Sequence, residues 1–184
     1  LEEAGQKYEA ISAPTKTKQQ PDGSDYRQVN PLGYVPYLVL DDGQALRECA
    51  IICQYVADQA PAKALIPPCG SMARYQLQMW MHFTATELHK GFSPLFNPAM
   101  PAEAKQVALA RLQERLKFVD GELAGKAFVM GSDYSVADAY LFTVTHWAKP
   151  MAIDLAPYPN LLAWRERVAA RPAVQAAMKA EGLI

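Results

Sequence analysis

Four short stretches of the chain carry residues whose types and spacing could do chemistry. Val35-Pro36 follows Asn30-Pro31-Leu32-Gly33-Tyr34 and precedes an apolar run. An X-Pro bond takes the cis form at modest cost, and at the head of a strand it would turn the N–H and C=O of the preceding residue outward. Val35 could then pair its main chain with an extended, peptide-like ligand; an ordinary loop proline is the plainer reading of the same residues. Glu48-Cys49 opens a helical pattern, where free N–H groups and the helix dipole welcome an anion and the Glu48 carboxylate could hold an ammonium. Its plainer reading is a first-turn acid. His89-Lys90 closes a long helical pattern, a histidine able to give or take a proton near neutral pH beside a lysine able to hold an anion. Both also suit a last turn as cations facing the dipole. His82 lies seven residues earlier, two turns away and on roughly the same face. No carboxylate joins the two histidines at ligand spacing, so no metal site is expected. Ser135 and Asp138, three apart before an apolar run, read as a capping box, and no nearby histidine completes a triad.

The cysteines number three, Cys49, Cys53 and Cys69. The first two read C-A-I-I-C, which is neither the C-x-x-C redox spacing nor half of a zinc site. Cys53 fits a small apolar helix residue. Sparse thiols in a chain with an adequate core fit a reducing cytoplasm.

The elements that must position these groups fall into two sets. Leu1-Glu2-Glu3-Ala4-Gly5 reads as the last turn of a helix with a glycine C-cap. Tyr8-Glu9-Ala10-Ile11 reads as a short strand, and residues 12–28 as a polar loop holding at most a short helix. Asn30 to Gly33 is turn chemistry. Tyr37-Leu38-Val39-Leu40 reads as a strand covered on both faces. Asp41-Asp42-Gly43-Gln44 returns the chain into Ala45-Leu46, a hairpin, and Glu48 to Asp58 is helical. Pro61, Pro67, Pro68 and Gly70 mark a linker. Beyond it the pattern is all helical. A spine from Ser71 to about Leu95 carries Tyr75, Met79, Trp80, Phe83 and Leu88, a stripe that reads as core. A helix follows from Pro101 with Leu112, Leu116, Val119 and Leu123 on its inner face, and another from Ser135 stopping before Pro150. Two more run over 160–170 and 173–180.

The 184 residues carry 18 basic and 19 acidic side chains, 51% hydrophobic and 20% charged. That is globular composition with no excess charge to draw nucleic acid as a partner. No apolar run approaches the ~20 residues needed to cross a bilayer, so no membrane association is expected.

In order, Asn30 to Leu38, Asp41-Asp42-Gly43, Glu48-Cys49-Ala50-Ile51-Ile52 and Tyr55-Val56-Ala57-Asp58 resemble the glutathione-binding half of a glutathione transferase. Glu87-Leu88-His89-Lys90-Gly91-Phe92-Ser93-Pro94-Leu95-Phe96 and Ser135-Val136-Ala137-Asp138-Ala139-Tyr140 resemble the bacterial beta class, so the likeness spans essentially the whole chain. The resemblance implies α/β plus all-α architecture: a thioredoxin-like domain over residues 1–62, a linker over 63–70, and a helical domain over 71–184 forming the electrophile pocket and part of a homodimer interface. It implies glutathione as cosubstrate and a small apolar electrophile as the second substrate. By motif, Lys18 would approach the glycine carboxylate of glutathione, Val35 before a cis Pro36 would pair with its cysteinyl backbone, and Glu48 and Cys49 would hold the γ-glutamyl end. His82, Thr86, His89 and Lys90 would line the site, some from the partner subunit, with His89 as the catalytic donor or base. Phe92 and Trp147 would wall the electrophile pocket.

Two positions depart from the family pattern. Cys49 stands where the family usually has Ser, so a strong hydroxyl donor becomes a weak S–H donor, and His82 stands where related sequences tend to carry Asn. The family's first strand and most of its first helix precede a segment like Leu1 to Gly5, so the residue beside the glutathione sulfur is expected upstream. Glutathione conjugation, with possible thiol-disulfide exchange, is the leading reading; a non-catalytic binding protein with the same cleft is the alternative, and a purely structural interaction module fits less well.

Overall fold

Asp42 accepts the N–H of Gln44 at 2.9 Å while Gly43 takes φ 83°, and together they reverse the chain tightly. The strands so joined, β1 (Leu38–Val39) and β2 (Ala45–Leu46), pair antiparallel with Leu38 opposite Leu46 and Val39 opposite Ala45. In the computed structural model, which describes residues 1–13 and 15–184, they form a two-stranded sheet. Seven α-helices follow: α1 (Cys49–Asp58), α2 (Met72–Phe83), α3 (Lys90–Phe96), α4 (Ala102–Leu123), α5 (Val136–His146), α6 (Pro159–Ala169) and α7 (Pro172–Ala180).

Several expectations hold. At the start, Gly5 N–H bonds to Glu2 C=O and Gln6 N–H to Leu1 C=O, the paired bonds of a glycine C-cap, with Gly5 at φ 66°. The polar loop contains only a 3₁₀ turn over Tyr26–Gln28. Leu112, Leu116, Val119 and Leu123 are all buried along α4, as a 3.6-residue period requires.

Others fail for physical reasons. Tyr8 to Ile11 forms no strand: among the described residues nothing offers it a ladder, and Ile11 is 66% exposed. The strand at Leu38–Val39 is not covered on both faces; Val39 is 56% exposed because a two-stranded sheet has one face open here. The α2 stripe splits in two. Leu77, Trp80, Met81 and Leu88 enter the core, whereas Tyr75 joins Met72 and Met79 on an exposed second apolar face.

The spine itself is not one α-helix. Between α2 and α3, residues Thr84–His89 wind as a π-helix, which takes up an extra residue per turn. His82 and His89 therefore do not share a face: His82 is exposed, while His89 turns in against α5.

α5 is the centre of the helical part, packing on α1, α2, the π turn and α6. Its start is pinned by a buried carboxylate. Asp138 accepts the N–H and the hydroxyl of Ser135, at 2.9 and 3.0 Å, the N–H of Val129 at 2.8 Å and the indole N–H of Trp164 at 2.9 Å. Burial raises its pKa, against the lowering effect of those donors. The sheet-bearing part is tied on by polar clamps. Arg74 reaches both oxygens of Asp58 at 2.8 and 2.7 Å, and Arg171 both oxygens of Glu3 at 2.6 and 2.8 Å. Val136 N–H donates to Leu65 C=O at 3.0 Å.

Candidate active site

The loop ahead of β1 is held by side chains that bond its carbonyls. Tyr26 donates its hydroxyl to Tyr34 C=O at 2.9 Å, and Asn30 donates its amide to the same oxygen at 2.7 Å; both residues are buried. Lys18 donates its ammonium to the neighbouring Gly33 C=O and lies 5.8 Å from the centre of the Tyr34 ring. Gly33 takes φ 62°, and a Cβ there would meet the Lys18 stem at 3.2 Å, so only glycine lets the lysine cross the loop. The Val35-Pro36 bond that follows is cis, as the sequence suggests. Among the described residues, the main chain of Val35 makes no hydrogen bond, and its side chain is exposed. A groove of about 990 Å³ opens beside it, bordered by Val35, Pro36, Tyr37, Tyr55 and the extended chain over residues 6–11.

Across β2, Glu48 sits at the head of α1 with φ 68° and ψ 113°, a conformation that side chains rarely adopt and that tends to persist where a site requires it. Its carboxylate makes no capping bond and is exposed; its C=O accepts the N–H groups of Ile51 and Ile52. The N–H groups of Cys49 and Ala50 are those a helix start leaves without partners inside the helix. An anion and an ammonium could therefore be held side by side at this corner.

The opposite wall comes from the π turn and α5. His89 Nδ1 lies 2.9 Å from the Tyr140 hydroxyl, and its ring packs edge-on to Trp147 with centroids 4.7 Å apart. Burial, then the nearby Lys90 charge, lowers the His89 pKa from its ordinary 6.5, while the Glu48 carboxylate pulls the other way. The ring is thus neutral at pH 7. Burial raises the Tyr140 pKa, and Cys49, Cys53 and Glu48 add to that, so the phenol keeps its proton. With no other acceptor for that proton among the described residues, Tyr140 donates to Nδ1, which assigns the imidazole proton to Nε2. His89 is thereby set as a neutral N–H donor. The same charges show that the α1 corner and His89 share one electrostatic neighbourhood.

Trp147 is half-buried and meets Phe96 edge-on at 5.6 Å and Phe92 edge-on at 5.8 Å. Phe92 is fully buried, so it backs Trp147 from the core, and the exposed apolar surface belongs to Trp147 and Phe96. His82, Thr86 and Lys90 are exposed and four residues apart, with Thr86 Oγ1 donating to His82 C=O. They line a strip of the spine rather than the His89 pocket. Sequence reasoning missed Tyr140 as the partner of His89, because 51 residues separate the two. Phe96 could have been found from its place seven residues after His89, two turns on along one helical path. Among the described residues no three His, Cys, Asp or Glu side chains gather as a metal site, and no helix is long and apolar enough to cross a membrane.

Comparison with known proteins bears on all of this. The N-terminal domain of glutathione S-transferases matches residues 1–64, and the C-terminal domain matches residues 83–172. Glutathione S-transferase GstA of Escherichia coli O157:H7 is 42% identical over 183 residues, spanning 100% of this chain and 91% of that protein. Among solved structures, a sphingomonad glutathione S-transferase complexed with glutathione superposes with TM-score 0.94 at 43% identity, covering 99% of this chain and 90% of that one. The bacterial beta class glutathione S-transferase of Sphingomonas chungbukensis superposes with TM-score 0.96 at 43% identity, covering 100% and 92%. A thioredoxin-like first part followed by helices, with both halves matched in order, means that the chain belongs to the glutathione S-transferase family.

Proposed function

We propose that the protein binds glutathione along the edge running from Lys18 through Val35 to the head of α1, and transfers its thiolate to small apolar electrophiles. The observation that carries this reading is the shared corner: unpaired N–H groups at Cys49 and Ala50, the free carboxylate of Glu48, and the neutral His89 donor fixed by Tyr140. In this reading Val35 supplies main-chain pairing to the peptide-like middle of glutathione and Lys18 faces its glycine carboxylate. Glu48 holds the γ-glutamyl ammonium, and the α1 N–H groups hold the adjoining carboxylate. The glutathione-bound sphingomonad relative supports the ligand. Thiolate rather than thiol is the nucleophile, so a neutral Nε2–H donor favours the reactive form without becoming charged itself. Trp147 and Phe96 offer the apolar surface for the electrophile.

The same reading extends to exchange between glutathione and disulfides, to detoxification in the cytoplasm, and to a homodimer. The exposed Met72, Tyr75 and Met79 on α2, with His82 one turn on, make the face that supports self-association. His82, Thr86 and Lys90 on that strip would then contribute across the interface.

Calorimetry with glutathione, together with conjugation of an aryl halide, tests the proposal. We expect binding by the protein, and a conjugation kcat about tenfold to a hundredfold lower in His89→Gln, since a hydrogen bond to a charged group contributes about 1.5–3 kcal/mol. Binding without turnover would leave a ligand-binding protein instead. An unchanged kcat in His89→Gln would remove His89 from the chemistry.

A further inference from the structure

The glutathione reading uses only the main chain of Cys49 and gives Cys53 no role. Yet the two sulfurs lie 3.9 Å apart, in S–H···S contact, on the first two turns of α1. Both residues are half-buried, and Cys49 stands at the open end of the helix next to exposed Glu48. The contact ties their titrations together: the hydrogen bond between them lowers Cys53 and raises Cys49, so the pair readily presents one thiolate and one thiol.

Their geometry discriminates among the things two thiols can do. A disulfide needs Cβ atoms about 3.5–4.5 Å apart, whereas residues four apart on a helix hold theirs at about 5–6 Å. Closing a bond would therefore pull apart the first turn of α1. Zinc needs four ligands, and among the described residues no third His, Cys, Asp or Glu joins the two thiols. A single soft atom that binds two sulfurs, seated between them, asks for neither the shorter Cβ separation nor further ligands.

We infer that Cys49 and Cys53 form a dithiol clamp for one thiophilic atom with two open valences, namely trivalent arsenic in a monosubstituted arsenical. The dihydroxy form of such a compound loses both As–O bonds and gains two As–S bonds. The two thiol protons leave with the two hydroxides as water, arsenic stays trivalent, and no oxidant or reductant is consumed. The exposed end of α1 makes Cys49 the first point of attack and Cys53 the residue that closes the chelate. Two linked sulfurs outcompete single thiols by effective concentration, a gain of roughly 10²–10⁴-fold, so the clamp holds its ligand in the presence of glutathione. This site stands whether or not the glutathione reading does.

Phenylarsine oxide is the probe, with intact-mass and peptide-mapping readouts on the full-length protein. The expected result is one phenylarsenic group per chain, resistant to excess glutathione and removed by 2,3-dimercaptopropanol. Cys49 and Cys53 should be protected from alkylation while Cys69, which is exposed, is not. Cys49→Ser and Cys53→Ala should each weaken retention by about 10²–10⁴-fold, and Cys69→Ser should leave it unchanged. The alkylation pattern needs no variant, so it decides the question even if a substitution impairs folding. Label on any other pair of thiols, or release of the wild-type adduct to glutathione alone, overturns the clamp.

Discussion

The two halves of this molecule are built on different principles. In the helical part, Leu77, Leu88, Phe92, Leu112, Leu116, Val119, Leu161, Trp164 and Val168 are wholly buried. In the sheet-bearing part burial is sparse, and most of the order comes from polar groups: Lys18, Tyr26 and Asn30 hold two successive carbonyls, and Asp42 closes the hairpin. The difference separates two tasks. A hydrophobic core supplies stability without presenting ligand-binding groups, whereas a loop pinned by side chains can leave main-chain donors and acceptors facing outward. The first half recognises, and the second half carries the weight.

That separation can be broken or sharpened by substitution. The largest effect is expected at Asp138, where alanine strands the N–H groups of Ser135 and Val129 and the indole of Trp164. At about 1–3 kcal/mol for each buried unsatisfied group, with partial relaxation, urea unfolding should show a loss of about 3–5 kcal/mol. A change under about 1 kcal/mol would remove α5 from the centre of the stability argument. Glu48→Gln should do the converse, raising the Kd for glutathione about tenfold while leaving the urea midpoint in place. If its midpoint moved as well, recognition and stability would not be separable at that corner.

Smaller effects lie at the joint. Arg171 packs over the Tyr134 ring at 3.9 Å while gripping Glu3. Both side chains are partly exposed, so Glu3→Gln should cost about 1 kcal/mol by chemical denaturation, with no change in conjugation rate. The smallest effect is one of pH. The folded pKa of His89 lies below its ordinary 6.5, so the folded chain resists protonation that the unfolded chain accepts. The contribution is complete above about pH 6.5 and is lost as pH falls from there through the folded value. A urea midpoint followed between about pH 5 and 8 should fall on the acid side. In His89→Gln that slope should shrink, the remainder coming from His146, also lowered by burial; equal slopes would mean His89 is solvated in the folded chain.

The sequence is legible where a single element suffices to interpret it. The α4 face follows from a 3.6-residue period, the hairpin from Asp41-Asp42-Gly43, and the Val35-Pro36 and Glu48-Cys49 corners from residue type and order. What escapes is whatever depends on a second element. Tyr8 to Ile11 alternates like a strand, but a strand needs a ladder. Tyr75 has the spacing of a core residue on a helix with two apolar faces, and only packing selects between them. His89 and Tyr140 meet across a distance no local pattern spans, and the Cys49 and Cys53 rotamers that bring the sulfurs together are silent in a spacing of four.

The π turn at Thr84–His89 has a consequence of another kind. It makes the spine a phase shifter, with α2 set to one rotational register and α3 to another. Removing any one residue from this stretch would let the α-helix run through, rotating everything downstream by about 100°. Leu88 would leave the core, and His89 would swing away from Tyr140 and Trp147, though every chemical group except the deleted one remained. Substitutions on the exposed side of this segment should be absorbed readily, but a single deletion should not. Here the chain is constrained in its length more tightly than in its composition.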